Sequence, residues 1–483
     1  MAAVTRADVA PPPRDRLFNL ARFVCETDFP HFPEKVAQRA KFSILDNLGC
    51  GLLGSGYAEM EALRNSVGLF DASGSGPSTM ILGRRTTSAF TASLLNASYV
   101  NVTELGEGVA RSVTHPGTVI VPATLAYAEE LNSSGPQVIE AVVLGYEALI
   151  RLGWALAHSP GQPVSRVEAH SLHRGWYPPA LLGGFGVAVA AAKLRRFDVG
   201  RLVQAMGIYA NIAPTSLLAA FRQGAMIKSL SAGWAAAFGL FAARLAEAGY
   251  TGVADFDQEL FQKLVEAPDY DRIDSDLGES YEIMLVDVKF FACAGPMRTD
   301  LECTFQLLEW HPIRAAEVAE IQVETNQRAG LLTDPLPTTP VAAKFSLPYC
   351  IAQIFLGQNR AALMDDAFSE TAIRNPQWRD LARRVQVRPV PEFTAAYNTH
   401  PKQLRPSRVT VVKHNGERFQ HYIETMRGLP TSPPSADEYV EKFKHLARRS
   451  LSSAQVDDLV AAVTGLETEP NISRLMGMLR QPA

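Results

Sequence analysis

The 483-residue chain carries no GxGxxG at a strand-to-helix turn, no GxxxxGKS/T, no HExxH and no GxSxG. These absences remove the usual signatures of dinucleotide binding, phosphate-loop hydrolysis, zinc proteolysis and serine-nucleophile chemistry. The glycines of GSGYAEM and GSGPST lack the strand-to-helix setting of a phosphate loop. Cysteine is scarce, with Cys25, Cys50, Cys293, Cys303 and Cys350 scattered, odd in number and without CxxC spacing. That favours reduced thiols over a disulfide framework or a structural zinc site. Charge of one sign is not in excess, since 46 Lys and Arg stand against 50 Asp and Glu for a net charge of -4. Neither nucleic acid nor an anionic membrane is an electrostatically expected partner. Uninterrupted apolar runs such as LLGGFGVAVAAA are short of a bilayer of about 30 Å. The opening MAAVTRADVAPPPRDR has no apolar signal core and reads as a disordered arm over residues 1–15. A soluble, cytoplasmic protein is the expectation.

A chain of this length exceeds what one hydrophobic core serves, so two unequal domains are expected. From residue 16 to 284 the pattern is helical, rich in Ala and Leu and punctuated by Gly and Pro. PPALLGGFGVAVAAAKL and SLSAGWAAAFGLFAARLAEAG are apolar on nearly every face, as helices inside a bundle are. Between residues 285 and 425 short β-branched or alternating runs appear: EIMLVDVKFFA, VAEIQVET, RVQVRPV and SRVTVVKHNGERFQHYIE. Asn415-Gly416 inside the last predicts a hairpin with a type I′ turn. These runs, with a helix-like PVAAKFSLPYCIAQIFL, predict an α+β domain. Residues 426–483 return to amphipathic helix, expected to rejoin the first domain.

One stretch, ELGEGVARSVTHPG at residues 104–117, gathers two carboxylates, three glycines and a histidine. A surface loop accounts for it cheaply; a pocket accounts for it if partners come from elsewhere. No histidine pair has convincing metal-ligand spacing. His170 and His173 stand at i, i+3 with only Glu168 as acidic neighbour and read as loop histidines.

Six segments, in order, carry a recognisable likeness: SILDNLGCGLLGS, ELGEGVARSVTHPGTVIVPATLAYAE, GWYPPALLGGFGVAVAAAKL, KSLSAGWAAAFG, VKFFACAG and AAKFSLPYCIA. Together they resemble the MmgE/PrpD family, which includes 2-methylcitrate dehydratase, cis-aconitate decarboxylase and iminodisuccinate epimerase. The resemblance implies a mostly α fold, a large all-helical domain with a smaller α+β lid, and a cleft between them. It further implies no cofactor, no metal, a small di- or tricarboxylate substrate and a homodimer. Where the family commonly has an acidic-apolar-Asp-Asp run, this chain has Glu104-Leu105-Gly106-Glu107, and Gly106 is expected to make room. His115-Pro116 is kept, while the family's Gly-aromatic-His appears as Gly175-Trp176-Tyr177. The family lysines fall on Lys228 and Lys289, both beside apolar stretches.

The resemblance implies that Lys228 and Lys289 clamp substrate carboxylates and neutralise developing charge. His115 becomes general acid or base, and Glu104 or Glu107 orients it or handles water. Tyr177, a phenol of ordinary pKa near 10, is a poor base at neutral pH but a good proton donor. Three readings stay open: a cofactor-independent lyase, an isomerase or epimerase, and a family member without catalysis.

Overall fold

The computed structural model describes residues 15–69, 75–157, 175–265, 267–399 and 404–481. Apart from Asp15, which opens a helix, the expected N-terminal arm lies outside these residues, as do His170 and His173.

Six helices build the larger core: α1 (Glu34–Gly54), α2 (Ala89–Val102), α3 (Pro116–Glu130), α4 (Gly135–Ala157), α5 (Pro178–Leu194) and α6 (Ile227–Glu247). Helix α5 is buried along its whole length, and α4 and α6 pack against it, while α2 packs on α1, α3 and α6. Small residues on α5 make this possible, since a side chain at Gly184 would collide with the ring of Tyr209. Helix α6 has 21 residues and is, among the described residues, the one helix long and apolar enough to cross a membrane. Counting only uninterrupted apolar runs undercounted it. Its neighbours α2 and α5 explain its composition, which is that of a core helix.

The second core surrounds a four-stranded sheet of β1 (Val318–Thr325), β2 (Val385–Pro389), β3 (Ser407–Lys413) and β4 (Arg418–Ile423), in the order β2-β1-β3-β4. Strands β1 and β2 run parallel, with Ile321 opposite Val385, and the other pairings are antiparallel. Ile321, Val323, Val409 and Val411 point inward, as period-two alternation requires, and helix α7 (Arg298–Trp310) covers β3 and β4. The hairpin at Asn415-Gly416 is present with a different turn. Gly416 has φ +88° while Asn415 is not left-handed, and Lys413 pairs with both Gly416 and Glu417. That is a type I turn closed by a glycine bulge rather than type I′.

EIMLVDVKFFA is not a strand. Glu282–Leu285 forms a single 3-10 turn, and beyond it Asp287 makes an isolated bridge to Gly108 without a continuing ladder. Burial, not sheet formation, explains its apolar character. Helix α8 (Ala436–Ala447) packs on α1, bringing the chain's last helices back to the first core. The second core draws in Cys50, Leu53, Val100 and Leu105 from the helical part, so the two cores meet beneath the loop that follows α2.

Candidate active site

That loop is the stretch from Glu104 to His115. Thr103 ends α2, and Glu104 then takes a left-handed φ of +59°, unusual for a residue with a side chain. The conformation is held from three sides. The Glu104 carboxylate ion-pairs with Lys228 at the start of α6, its carbonyl accepts from Lys289 Nζ at 3.2 Å, and its amide donates to the Asn101 carbonyl.

His115 and Tyr177 share one local design. Each precedes a proline that opens a buried helix, α3 at Pro116 and α5 at Pro178. Proline suits a first helical position and pushes its predecessor into extended backbone, so both side chains stand at helix N-termini. His115 Nδ1 lies 2.7 Å from the Glu107 carbonyl. A carbonyl only accepts, so Nδ1 carries the proton and Nε2 keeps its lone pair. Burial, then the charges of Lys289 and Lys228, push the imidazole pKa down to about 3, outweighing the Glu107 carbonyl and the Glu104 carboxylate. His115 is therefore neutral and a base at Nε2. Tyr177 is the complement. Burial raises its pKa, Lys228 opposes the rise and Glu104 adds to it, leaving a protonated phenol.

The two lysines differ. Lys289 is buried, and desolvation brings its pKa down to about 8 despite Glu104. Burial also works against the Lys228 ammonium, but Glu104 and Tyr177 outweigh it and raise its pKa. Glu104 itself is held below the usual carboxylate range, since Lys228 and Lys289 overcome its desolvation. Glu104, His115, Tyr177, Lys228 and Lys289 are thus gathered into one electrostatic unit.

Glu107 is not in that unit. Its carboxylate is fully buried and takes Arg39 at 2.7 Å and Ser43 at 2.9 Å on Oε1, Tyr146 at 2.6 Å and Asn47 at 3.4 Å on Oε2. It reaches His115 through its backbone carbonyl alone. Gly117 permits this network, since a Cβ there would lie 2.3 Å from Asn47 Nδ2 and 2.5 Å from Glu107 Oε2. Gly106 does not open space as expected. A Cβ at 106 would stand 2.4 Å from Thr118 Oγ1, so Thr118 already fills the place beside the backbone.

Sequence reading missed Asn101, Thr118 and Lys344. Lys344 donates to the carbonyls of Val102 at 3.0 Å and Thr103 at 3.2 Å, capping the C-terminus of α2 where a cation is favoured. Its signal was the one that marked Lys228 and Lys289, a lysine inside an apolar run. Asn101 carried a weaker signal, an amide inside a buried helix. Among the described residues, no group of three or more His, Cys, Asp or Glu side chains is placed to hold a metal ion.

The sequence profile of the MmgE/PrpD N-terminal domain matches residues 19–260, and that of the C-terminal domain matches residues 291–467. The chain belongs to the MmgE/PrpD family. It is 26% identical to a cis-aconitate decarboxylase-like protein of Aspergillus oryzae, over 95% of this chain and 96% of that protein. It is 25% identical to a cis-aconitate decarboxylase of Aspergillus terreus, over 93% of both chains. The cis-aconitate decarboxylase of Homo sapiens is also 25% identical, over 94% of this chain and 92% of the human one. These MmgE/PrpD relatives align with the chain nearly end to end.

Proposed function

We propose that this MmgE/PrpD protein is a cofactor-independent lyase acting on a small di- or tricarboxylate through a carbanion-like intermediate. One observation carries the reading: a neutral imidazole with a free Nε2, a protonated phenol and a buried lysine meet around one loop. Lys289 holds a substrate carboxylate and offsets charge that develops beside it. In a dehydration, His115 takes the proton next to that carboxylate, and Tyr177 protonates the departing hydroxyl. In a decarboxylation the carbon–carbon bond releases its pair to the substrate carbon, and Tyr177 supplies the proton that closes the new C–H bond. The relatives' names favour decarboxylation; the presence of both a base and an acid favours dehydration.

An epimerase is the second reading. His115 and Tyr177 stand on different helices, an arrangement suited to removing a proton from one face and returning it to the other.

Two outcomes check the assignment. Tyr177→Phe should lower kcat by about 10²-fold or more, while Tyr177→His, which restores a titratable donor, should lower it less. A Phe variant as active as the native protein would show the phenol to be packing alone. The pH profile of kcat/KM should lack an acid limb from His115 between pH 5 and 7, because the imidazole stays neutral down to about pH 3. On the alkaline side Lys289 loses its charge near pH 8, so kcat/KM should fall above that value, and Lys289→Arg should move the fall upward. A profile unchanged in Lys289→Arg would remove Lys289 from substrate binding.

A further inference from the structure

We propose that Lys228 serves Tyr177 rather than the substrate, and that Asn101 is the positioning residue that keeps it there. The assignment rests on the proton-donor role given to Tyr177. An ammonium has three N–H donors and no acceptor. One on Lys228 goes to Glu104 Oε1 in the buried ion pair, and a second goes to Asn101 Oδ1 at 3.3 Å. The ammonium also lies over the Tyr177 ring, with Nζ 5.9 Å from its centroid, so its charge bears on the phenol. Two of its three donors are thus taken, and its charge is already matched by Glu104. Lys289 makes one contact among the described residues, to the Glu104 carbonyl, and keeps two donors. Anchoring therefore falls to Lys289 and proton chemistry to the group around Lys228.

Asn101 holds that group at both ends. Its Nδ2 donates to the carbonyls of Lys228 at 3.1 Å and Ser229 at 3.0 Å, in the first turn of α6, while its Oδ1 accepts from Lys228 Nζ. Because lysine cannot accept, the amide has one orientation that satisfies all three contacts. A single side chain on α2 thus fixes both the backbone and the ammonium of Lys228. The charged and titratable groups around this centre are Glu104 and Tyr177 on Lys228, with Lys289 and the neutral His115 facing Glu104. Lys344 stands beyond Glu104 at the end of α2.

The chemical consequence is specific. With the Lys228 ammonium over the phenol ring, the Tyr177 O–H bond breaks as the substrate C–H bond forms. The phenolate left behind sits against an ammonium until solvent returns its proton. Without Asn101 the ammonium keeps only the Glu104 carboxylate and can turn from the phenol, and proton donation slows while carboxylate binding persists.

The test labels tyrosine with ¹³C at Cζ, assigns Tyr177 by the resonance lost in Tyr177→Phe, and follows its titration. In Asn101→Ala the Tyr177 titration should move upward by about one pH unit or more, as expected when a cation leaves a buried phenol. Asn101→Asp, which cannot donate to the α6 carbonyls and adds a second carboxylate beside Lys228, should shift it in the same direction, and serves if the Ala variant does not fold. With a substrate in hand, Asn101→Ala should lower kcat about tenfold or more with KM nearly unchanged, whereas Lys289→Ala should raise KM. A Tyr177 titration identical to wild type in both Asn101 variants would overturn the assignment, whatever the reaction. A shifted titration with no polycarboxylate turned over would uphold the Lys228–Tyr177 unit and overturn the lyase reading alone.

Discussion

His115→Asn is expected to lower kcat by about 10²–10⁴-fold, the usual contribution of a positioned general base, and to leave folding intact. The imidazole makes one hydrogen bond, from Nδ1 to the Glu107 carbonyl, which an asparagine amide can repeat. One edge of the ring reaches solvent, and asparagine fills much of the space it leaves. What disappears is the Nε2 lone pair, and asparagine has no replacement of comparable basicity. Binding of a carboxylate that does not react should persist, because Lys289 is untouched. Steady-state kinetics beside a thermal unfolding curve reads both quantities. A variant with native kcat would show that the imidazole does not move the proton.

Glu107→Gln carries the second large effect, and it falls on stability. The native carboxylate is the one ion-pair partner of the buried Arg39 guanidinium among the described residues, with Ser43, Tyr146 and Asn47 directing further donors at it. A glutamine puts two donors of its own where every neighbour already donates, and leaves Arg39 uncompensated. Breaking one side of a buried pair costs on the order of 3–5 kcal/mol, and the urea midpoint should fall accordingly. The Glu107 carbonyl would shift with the side chain, so His115 would also lose its fixed tautomer and activity would fall with stability. Replacing both partners with apolar residues, Arg39→Met with Glu107→Leu, should recover part of the loss. A single Glu107→Gln variant as stable as the native protein would show that the network is not under this constraint.

Much of the helical framework was legible from periodicity. The helices over Glu34–Gly54, Ala89–Val102 and Pro178–Leu194 follow apolar composition and local starts, a proline at 33 and 178 and a Ser88 cap, that act within a few residues. The strand of residues 318–325 was equally plain, because alternation shows on a sheet with one solvated face. The apolar run near residue 286 misled for the converse reason. A buried irregular segment and a buried strand have the same composition, and only pairing tells them apart.

In the site, legibility stopped where an effect depends on a residue far along the chain. Gly106 looked like a vacated acid because its occupant, Thr118, comes from the next helix. Glu104 and Glu107 looked equivalent in one short loop, yet Glu104 turns to Lys228 and Glu107 to Arg39. A left-handed residue at 104 separates them, and glycine is the residue whose presence would have announced it. Lys228 and Lys289 looked like a matched pair. Their difference lies in how many donors are already taken, which depends on Glu104 and Asn101.

The most direct test of the central claim is proton NMR of the purified protein in D₂O with cis-aconitate, citrate, 2-methylcitrate and N-substituted aspartates. The account predicts loss of carbon dioxide or water from at least one polycarboxylate, with deuterium entering beside a retained carboxylate and the reaction abolished in His115→Asn or Tyr177→Phe. Deuterium exchange without cleavage would replace the lyase by an epimerase on the same residues. Turnover that survives both substitutions would contradict the account, because the proton would then travel through neither group.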